Sequence, residues 1–171
     1  MNPIQIGQIT DADVYLEGNR FVGRVETFKV GKVAAKNVDH ENLGMIGAAS
    51  LPSRALEALN ATVNFKYLDP DVDRVILSPV KAFSWQLHGY VDIFGPDGLD
   101  EDKSHKLITT VKTLCRDTGD LEYKLGEPTQ REVEMTILSL VAKRSNFSEP
   151  DIEYDLFNGI YRIAGKDVWP K

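Results

Sequence analysis

The residues able to carry chemistry in this chain are few and scattered. It has three histidines, His40, His88 and His105, and one cysteine, Cys115. No pair of them has the short spacing that metal ligands on one hairpin or helix turn require. His88 falls on the polar side of an alternating run, where an imidazole needs no special role. Cys115 has no nucleophile signature around it and reads as a half-buried structural thiol. Asp69, Asp71 and Asp73 imitate the start of a calcium loop, but Arg74 occupies the position that needs glycine, and no glutamate closes the loop. These acids are better explained as the cap and first turn of a helix. Gly44-Met45-Ile46-Gly47 lacks the Gly-Lys-Ser/Thr end of a phosphate loop, and neither a nucleophile elbow nor a Ser–Lys pair is present. The expectation is a protein without catalytic, cofactor or metal residues, working by shape and contact.

Composition narrows the class further. The 171 residues are enough for one domain, 1–171, with a sizeable core, and 42% hydrophobic with 27% charged residues is ordinary for a globular chain. No stretch approaches the ~20 apolar residues of a membrane helix, so no stable membrane association is expected. Met1 to Ile9 has no basic region followed by an apolar core, so no secretory signal is expected there. The net charge is −6, and no third of the chain is basic enough to grip nucleic acid. A single cysteine permits no internal disulfide and fits synthesis in a reducing compartment.

The elements that would position any functional residue are mostly strands. Phe83, Trp85, Leu87, Gly89, Val91 and Ile93 alternate with Ser84, Gln86, His88, Tyr90 and Asp92, the period-two mark of a strand with one buried face. Leu59, Ala61, Val63 and Phe65 alternate likewise with Asn60, Thr62, Asn64 and Lys66. Leu107 to Cys115 is a third strand. Val133 to Val141 is a fourth candidate, although Leu138, Leu140 and Ala142 make its second face apolar too, which suits a strand buried on both sides or a helix; a strand is the expectation. Val14-Tyr15-Leu16 and Phe21-Val22 form a hairpin about Gly18-Asn19, residues that tolerate positive φ. Arg24 to Lys36 alternates loosely and is expected to be one long strand leaving the body. Leu43 to Pro52, rich in Gly and Ala, reads as a long loop. Asp69-Pro70 starts a helix with Val72, Val75 and Ile76 on its apolar stripe, and Ser78-Pro79 ends it. Gly95-Pro96-Asp97-Gly98 and Asp117-Thr118-Gly119-Asp120 are turns. Leu99 to Lys106 is acidic and is expected to be mobile. Long strands projecting from a small barrel leave edges that need pairing, so ordered oligomerisation is expected.

In this order the features resemble the major tail tube proteins of contractile-tailed bacteriophages, also used by R-type phage-tail-like bacteriocins. The stretch Val14-Tyr15-Leu16-Glu17-Gly18-Asn19-Arg20-Phe21-Val22-Gly23 is similar to that family's opening strand, turn, aromatic and glycine. Gly44-Met45-Ile46-Gly47-Ala48 is similar to its Gly-Met-x-Gly loop. Ile152-Glu153-Tyr154-Asp155, Asn158-Gly159-Ile160, Ile163 and Gly165-Lys166-Asp167 resemble its closing strands and turns. The likeness spans Val14 to Asp167. Ala164 stands where an Asn is common, and the loop 96–106 has no counterpart in the pattern.

The resemblance implies a mainly β (α+β) fold: a β-barrel or sandwich with one flanking helix and long hairpin arms that complete intersubunit sheets. It implies hexameric rings stacked into a hollow tube that DNA passes through without specific binding, or that punctures an envelope. The implied partners are further copies of the chain, a tail sheath protein, a baseplate or tube initiator, a tape measure protein and a tail terminator. The implied location is the virion tail, with the host cytoplasm during assembly. Six copies at −6 give −36 per ring, a charge that repels phosphate. Candidates for the lumen face are Asn60, Thr62, Asn64 and Lys66, together with Ser84, Gln86, His88 and Asp92. Either set could instead face solvent outside or pack under the helix. Gly44, Met45, Ile46 and Gly47 are the candidate contact between rings or subunits. The alternatives are a monomeric ligand-binding barrel, with Phe83, Trp85 and Leu87 lining a cavity, and a type VI secretion-like tube protein.

Overall fold

The computed structural model describes residues 4–20, 25–44, 46–67 and 69–169. Among these residues twelve strands and one helix run in the order β1 (Ile6–Leu16), β2 (Asn19–Arg20), β3 (Val25–Val30), β4 (Ala35–His40), β5 (Ala49–Leu56), β6 (Asn60–Phe65), α1 (Pro70–Ile76), β7 (Phe83–Gly95), β8 (Gly98–Asp117), β9 (Arg131–Arg144), β10 (Ile152–Asp155), β11 (Ile160–Ile163) and β12 (Lys166–Asp167). Every pairing is antiparallel. Ten strands make one sheet in the order β12-β11-β10-β9-β8-β7-β1-β2, with β6 joined to β9 and β3 joined to β6. One edge of β9 therefore serves two partners. Arg131 to Thr136 pair with β6, and Ser139 to Ala142 pair with β10. At this fork the sheet folds over, and Phe28 on β3 meets Trp85 on β7 edge-on at 5.1 Å.

The alternation expected for β7 and β6 puts Phe83, Trp85, Ala61, Val63 and Phe65 in the core, with Val111, Cys115, Val133, Met135 and Ile137 from β8 and β9. Trp85 is at the centre, ringed by Phe28, Phe65 and Phe83. Its indole N–H donates to the buried Thr113 hydroxyl at 3.1 Å. That bond is how a polar residue is accommodated at full burial.

The two apolar faces of Val133 to Val141 have a local cause. The register slips between Lys112 and Thr113, where Thr113 pairs with Ile137 but Lys112 with Ser139. Leu138 is the extra residue of a bulge, and such an insertion reverses parity. Inward positions therefore change from Val133, Met135 and Ile137 to Leu140.

Helix α1 forms as its sequence dictates. Asp69 is the cap and accepts from the Asp71 N–H at 3.0 Å, and Pro70 is at the first position. Val72 and Ile76 are buried, each contributing about 1.5–3 kcal/mol by burial, while Val75 is 40% exposed. Asp73 ties the helix to the sheet through Arg131 at 3.2 Å.

Four expectations need correction. The first hairpin turns on Glu17 and Gly18, both at positive φ, because Leu16 pairs with Asn19; Phe21 and Val22 lie outside the described residues. The stretch after Arg24 is not one strand leaving the body. Val25–Val30 pairs with β6 inside the main sheet, and only β4 leaves it. Leu43 to Pro52 is not all loop, since β5 begins at Ala49 and carries Pro52 on an otherwise unpaired hairpin, where proline's missing N–H is tolerated. Leu99 to Lys106 is the first half of β8, paired with β7 around an irregularity opposite Asp92. There the Ser104 hydroxyl accepts from the Ile93 N–H and donates to the Asp100 carbonyl. Acidic residues occur in this strand because the hairpin extends past the core, with solvent on both sides.

Candidate assembly surface

The residues that could have done chemistry are dispersed. His40 is exposed on β4, His88 lies beside the Tyr15 ring at 4.8 Å, and His105 Nδ1 is 2.9 Å from the Lys103 carbonyl. Among the described residues no three His, Cys, Asp or Glu side chains are grouped to hold a metal, and no helix is long and apolar enough to cross a membrane. Cys115 is buried on β8, where burial first and Asp117 second push its thiol up. A thiol so placed is a poor nucleophile.

The two polar stretches singled out from sequence lie on the outer side of the folded sheet, opposite Trp85 and Val63. On β6, Asn60, Thr62 and Asn64 stand beside Thr136, Glu134 and Glu132 of β9. Thr62 and Asn64 also stand beside Lys29 and Thr27 of β3. Lys66 follows the strand and pairs with Glu26 at 2.9 Å. The side-chain oxygens of Asn60 and Asn64 are shielded from solvent and have no hydrogen-bond partner among the described residues. On β7, Ser84 and Gln86 stand beside Lys112 and Thr110, His88 beside Ile108 and Asp13, and Asp92 at the irregularity. Strands β8 and β9 separate the two stretches, so they form two patches and not one cluster.

The candidate contact loop belongs to a larger unit. Gly44, Ile46 and Gly47 sit in the connection between β4 and β5, with Gly44 at φ +94°; Met45 lies outside the described residues. Leu43 and Ile46 are fully exposed. Below them Val38 and Leu51 face each other across the hairpin, both about half exposed. Among the described residues these two strands pair only with each other. An isolated two-stranded ribbon is marginal in water, so this hairpin needs a surface to lie on.

Three features were not anticipated from sequence. One is an apolar cleft of about 380 Å³ between β1 and β3, walled by Val14, Phe28, Val30, Leu87 and Leu107 with Asp13 and Glu26 among its lining residues. Its walls belong to strands distant in sequence, which no local pattern reveals. The second is the segment Leu121-Glu122-Tyr123-Lys124-Leu125, whose three apolar side chains are exposed. Its alternation was a legible signal. The third is the exposed end of the β1–β7–β8 sheet, where Ile6, Phe94 and Leu99 stand in one cross-strand row. At the other end of the sheet, Arg162 joins Glu153 and Asp167 across three strands. Hydrogen bonding to Asp167 leads the causes that raise its guanidinium pKa.

Comparison with known proteins gives a consistent result. The family described as phage tail tube protein FII matches residues 7–171. No curated protein matches by sequence. Among solved structures, the fold is similar to the sheath/tube terminator of an extracellular contractile injection system, PVC, in its extended state. The TM-score is 0.53 at 9% identity, covering 84% of this chain and 98% of that one. It is also similar to a chain of the PVC sheath–tube complex in the extended state, with TM-score 0.50 at 8% identity, covering 77% and 87%. At such identities the likeness is one of fold.

Proposed function

The chain belongs to the phage tail tube protein FII family, a structural subunit of the tail tube, and from that premise we propose that six copies close into a ring and that rings stack into a hollow conduit. The observation that carries this reading is the set of unfinished surfaces. Among the described residues the outer edge of β1 meets no other strand from Ile6 to Ala12, β3 pairs only with β6, and the β4–β5 hairpin pairs with neither. Exposed edges of this length are an aggregation hazard in a monomer and a means of assembly in a ring.

In this reading the whole chain, 1–171, acts as one tail-tube-like domain without catalytic activity. Its partners are further copies of itself, a sheath protein, a baseplate or tube initiator, a tape measure protein and a tail terminator. It resides in the virion tail and assembles in the host cytoplasm. DNA passes without specific binding, because a ring of six copies at −6 carries −36 and offers no surplus of Lys or Arg to phosphate. One of the patches Asn60–Lys66 and Ser84–Asp92 lines the lumen, and Gly44 to Gly47 contribute to a contact between copies. Native mass spectrometry of the purified protein tests the reading. Hexamers and multiples of six support it, and a monomer that stays monomeric as concentration rises opposes it.

A further inference from the structure

We propose that Asn158 is a site of spontaneous covalent modification, at which the Gly159 nitrogen displaces the side-chain amide as ammonia, and that Asp155 guards it while the β10–β11 turn is closed. The inference stands apart from ring formation. Three observations carry it. First, of the eight asparagines in the chain, Asn158 is the one followed by glycine. Attack on an asparagine side chain by the next backbone nitrogen depends on access to that nitrogen, and glycine puts no side chain in the way. Asn158 is exposed, Gly159 is at φ +61°, and nothing lies within 4 Å of where its Cβ would stand. Second, the chemistry needs only water. The Gly159 N–H gives its proton to hydroxide, the nitrogen bonds to Asn158 Cγ, the Cγ–Nδ2 bond breaks, and ammonia leaves with a proton from water. Water then opens the five-membered imide at either carbonyl, leaving aspartate or its β-linked isomer. Third, Asp155 holds the group that must leave. Its Oδ2 accepts from Asn158 Nδ2 at 2.8 Å, and its Oδ1 accepts from the Asn158 and Phe157 N–H groups at 2.9 and 3.0 Å. The Asn158 N–H, followed by the Asn158 side chain, leads the interactions that hold the Asp155 carboxyl below its ordinary value, so it is ionised at neutral pH. Its charge opposes the anion that forms on the Gly159 nitrogen, and departure of Nδ2 breaks a charge-assisted hydrogen bond. The product undoes the turn. Aspartate at 158 sets a second carboxylate against Asp155 where a donor stood. The β-linked isomer lengthens the backbone between Asp155 and Ile160, the last pair of the two strands.

The experiment follows Asn158 by peptide mass mapping in the full chain and in a free peptide of residues 152–163, which holds no other asparagine or glutamine. Both are held in the same mildly alkaline buffer. The peptide should gain the mass difference between an amide and an acid. The folded chain should convert at least about tenfold more slowly, the factor that one hydrogen bond to a charged group supplies. In urea the chain should convert at the peptide's rate. Asp155→Ala should raise the folded chain's rate toward that of the peptide. Asp155→Asn keeps an acceptor without the charge, should lie between the two, and is the conservative variant should the alanine form fail to fold; circular dichroism checks both. In Asn158→Asp, hydrogen exchange at the amides of 157 and 158 should quicken, and unchanged exchange would refute the opening of the turn. A folded chain that converts as fast as the peptide, or folded Asp155 variants that convert at the unsubstituted rate, would overturn the guard. An Asn158 that stays intact in both the peptide and urea would overturn the site itself.

Discussion

Replacing Thr113 by valine should destabilise the unassembled subunit through a group it leaves behind in Trp85. Thr113 and Trp85 are both fully buried, and the indole N–H donates to the threonine hydroxyl at 3.1 Å. Valine has nearly the same shape but cannot accept, so a buried donor loses its partner at a cost of about 1–3 kcal/mol. The added methyl returns ~0.8 kcal/mol. The weak bond from the Thr113 hydroxyl to Met135 Sδ, 3.4 Å long, is also lost. The net loss is about 1–2 kcal/mol, a fall in Tm of roughly 2–8 °C for a domain of this size. The decisive comparison is Thr113→Val made in a Trp85→Phe background. Phenylalanine has no N–H to strand, so there the same change should be neutral or mildly stabilising. Urea unfolding of the four proteins gives the coupling directly, and it should exceed about 1 kcal/mol. Equal costs of Thr113→Val in both backgrounds would refute the view that this hydrogen bond is what permits a polar residue at the centre of the core.

Asp73→Ala should cost about 3 kcal/mol in chemical denaturation, because it leaves the buried Arg131 guanidinium without its carboxylate, and Arg131→Met should cost less. Gly119→Ala should lower stability by about 1–3 kcal/mol or more, since its φ is +69° and an added Cβ would run into the Glu132 carbonyl; thermal melts decide it. Ile46→Asp with Leu43→Asp should leave far-UV circular dichroism and Tm unchanged while reducing polymer yield, because both side chains are fully exposed in the subunit. The side-chain hydrogen bond from Lys103 leads the interactions that hold the Asp100 carboxyl below its ordinary value. A depressed acid stabilises above its unfolded value and ceases to as pH falls through the folded one. The tip of the β7–β8 hairpin should therefore loosen only below about pH 4, and the backbone amide at position 103, followed by NMR, should titrate at a higher pH in Lys103→Ala than in the unsubstituted chain.

Local chemistry was legible wherever one residue type decides the backbone. Asp69-Pro70 marked the start of α1 to the residue, and the alternation about Trp85 and Val63 identified the core strands and their inward faces. The order of turns and strands also carried the family likeness. What sequence hid were places where a neighbour overrides the pattern. The bulge at Leu138 depends on how β8 aligns with β9, and it alone explains a strand with two apolar faces. Leu99 to Lys106 looks like a solvated loop because its strand extends beyond the core, so acids cost nothing there. Pro52 and the small residues around it disguised β5, which survives because nothing pairs with its outer edge. The cleft between β1 and β3 joins Val14, Phe28 and Leu87 from distant segments, and periodicity carries no information on which edges face each other. Sequence marked the polar faces of β6 and β7 but left open whether they line a lumen, face outward or pack under the helix, because a lumen exists only between copies and leaves no mark on a single chain.

Electron microscopy of the purified protein at high concentration tests the central claim most directly. Class averages should show end-on rings with six-fold symmetry and an open centre, and side views should show those rings stacked into tubes. A field of separate small particles, unchanged on concentration and on addition of preformed tail components, would contradict it.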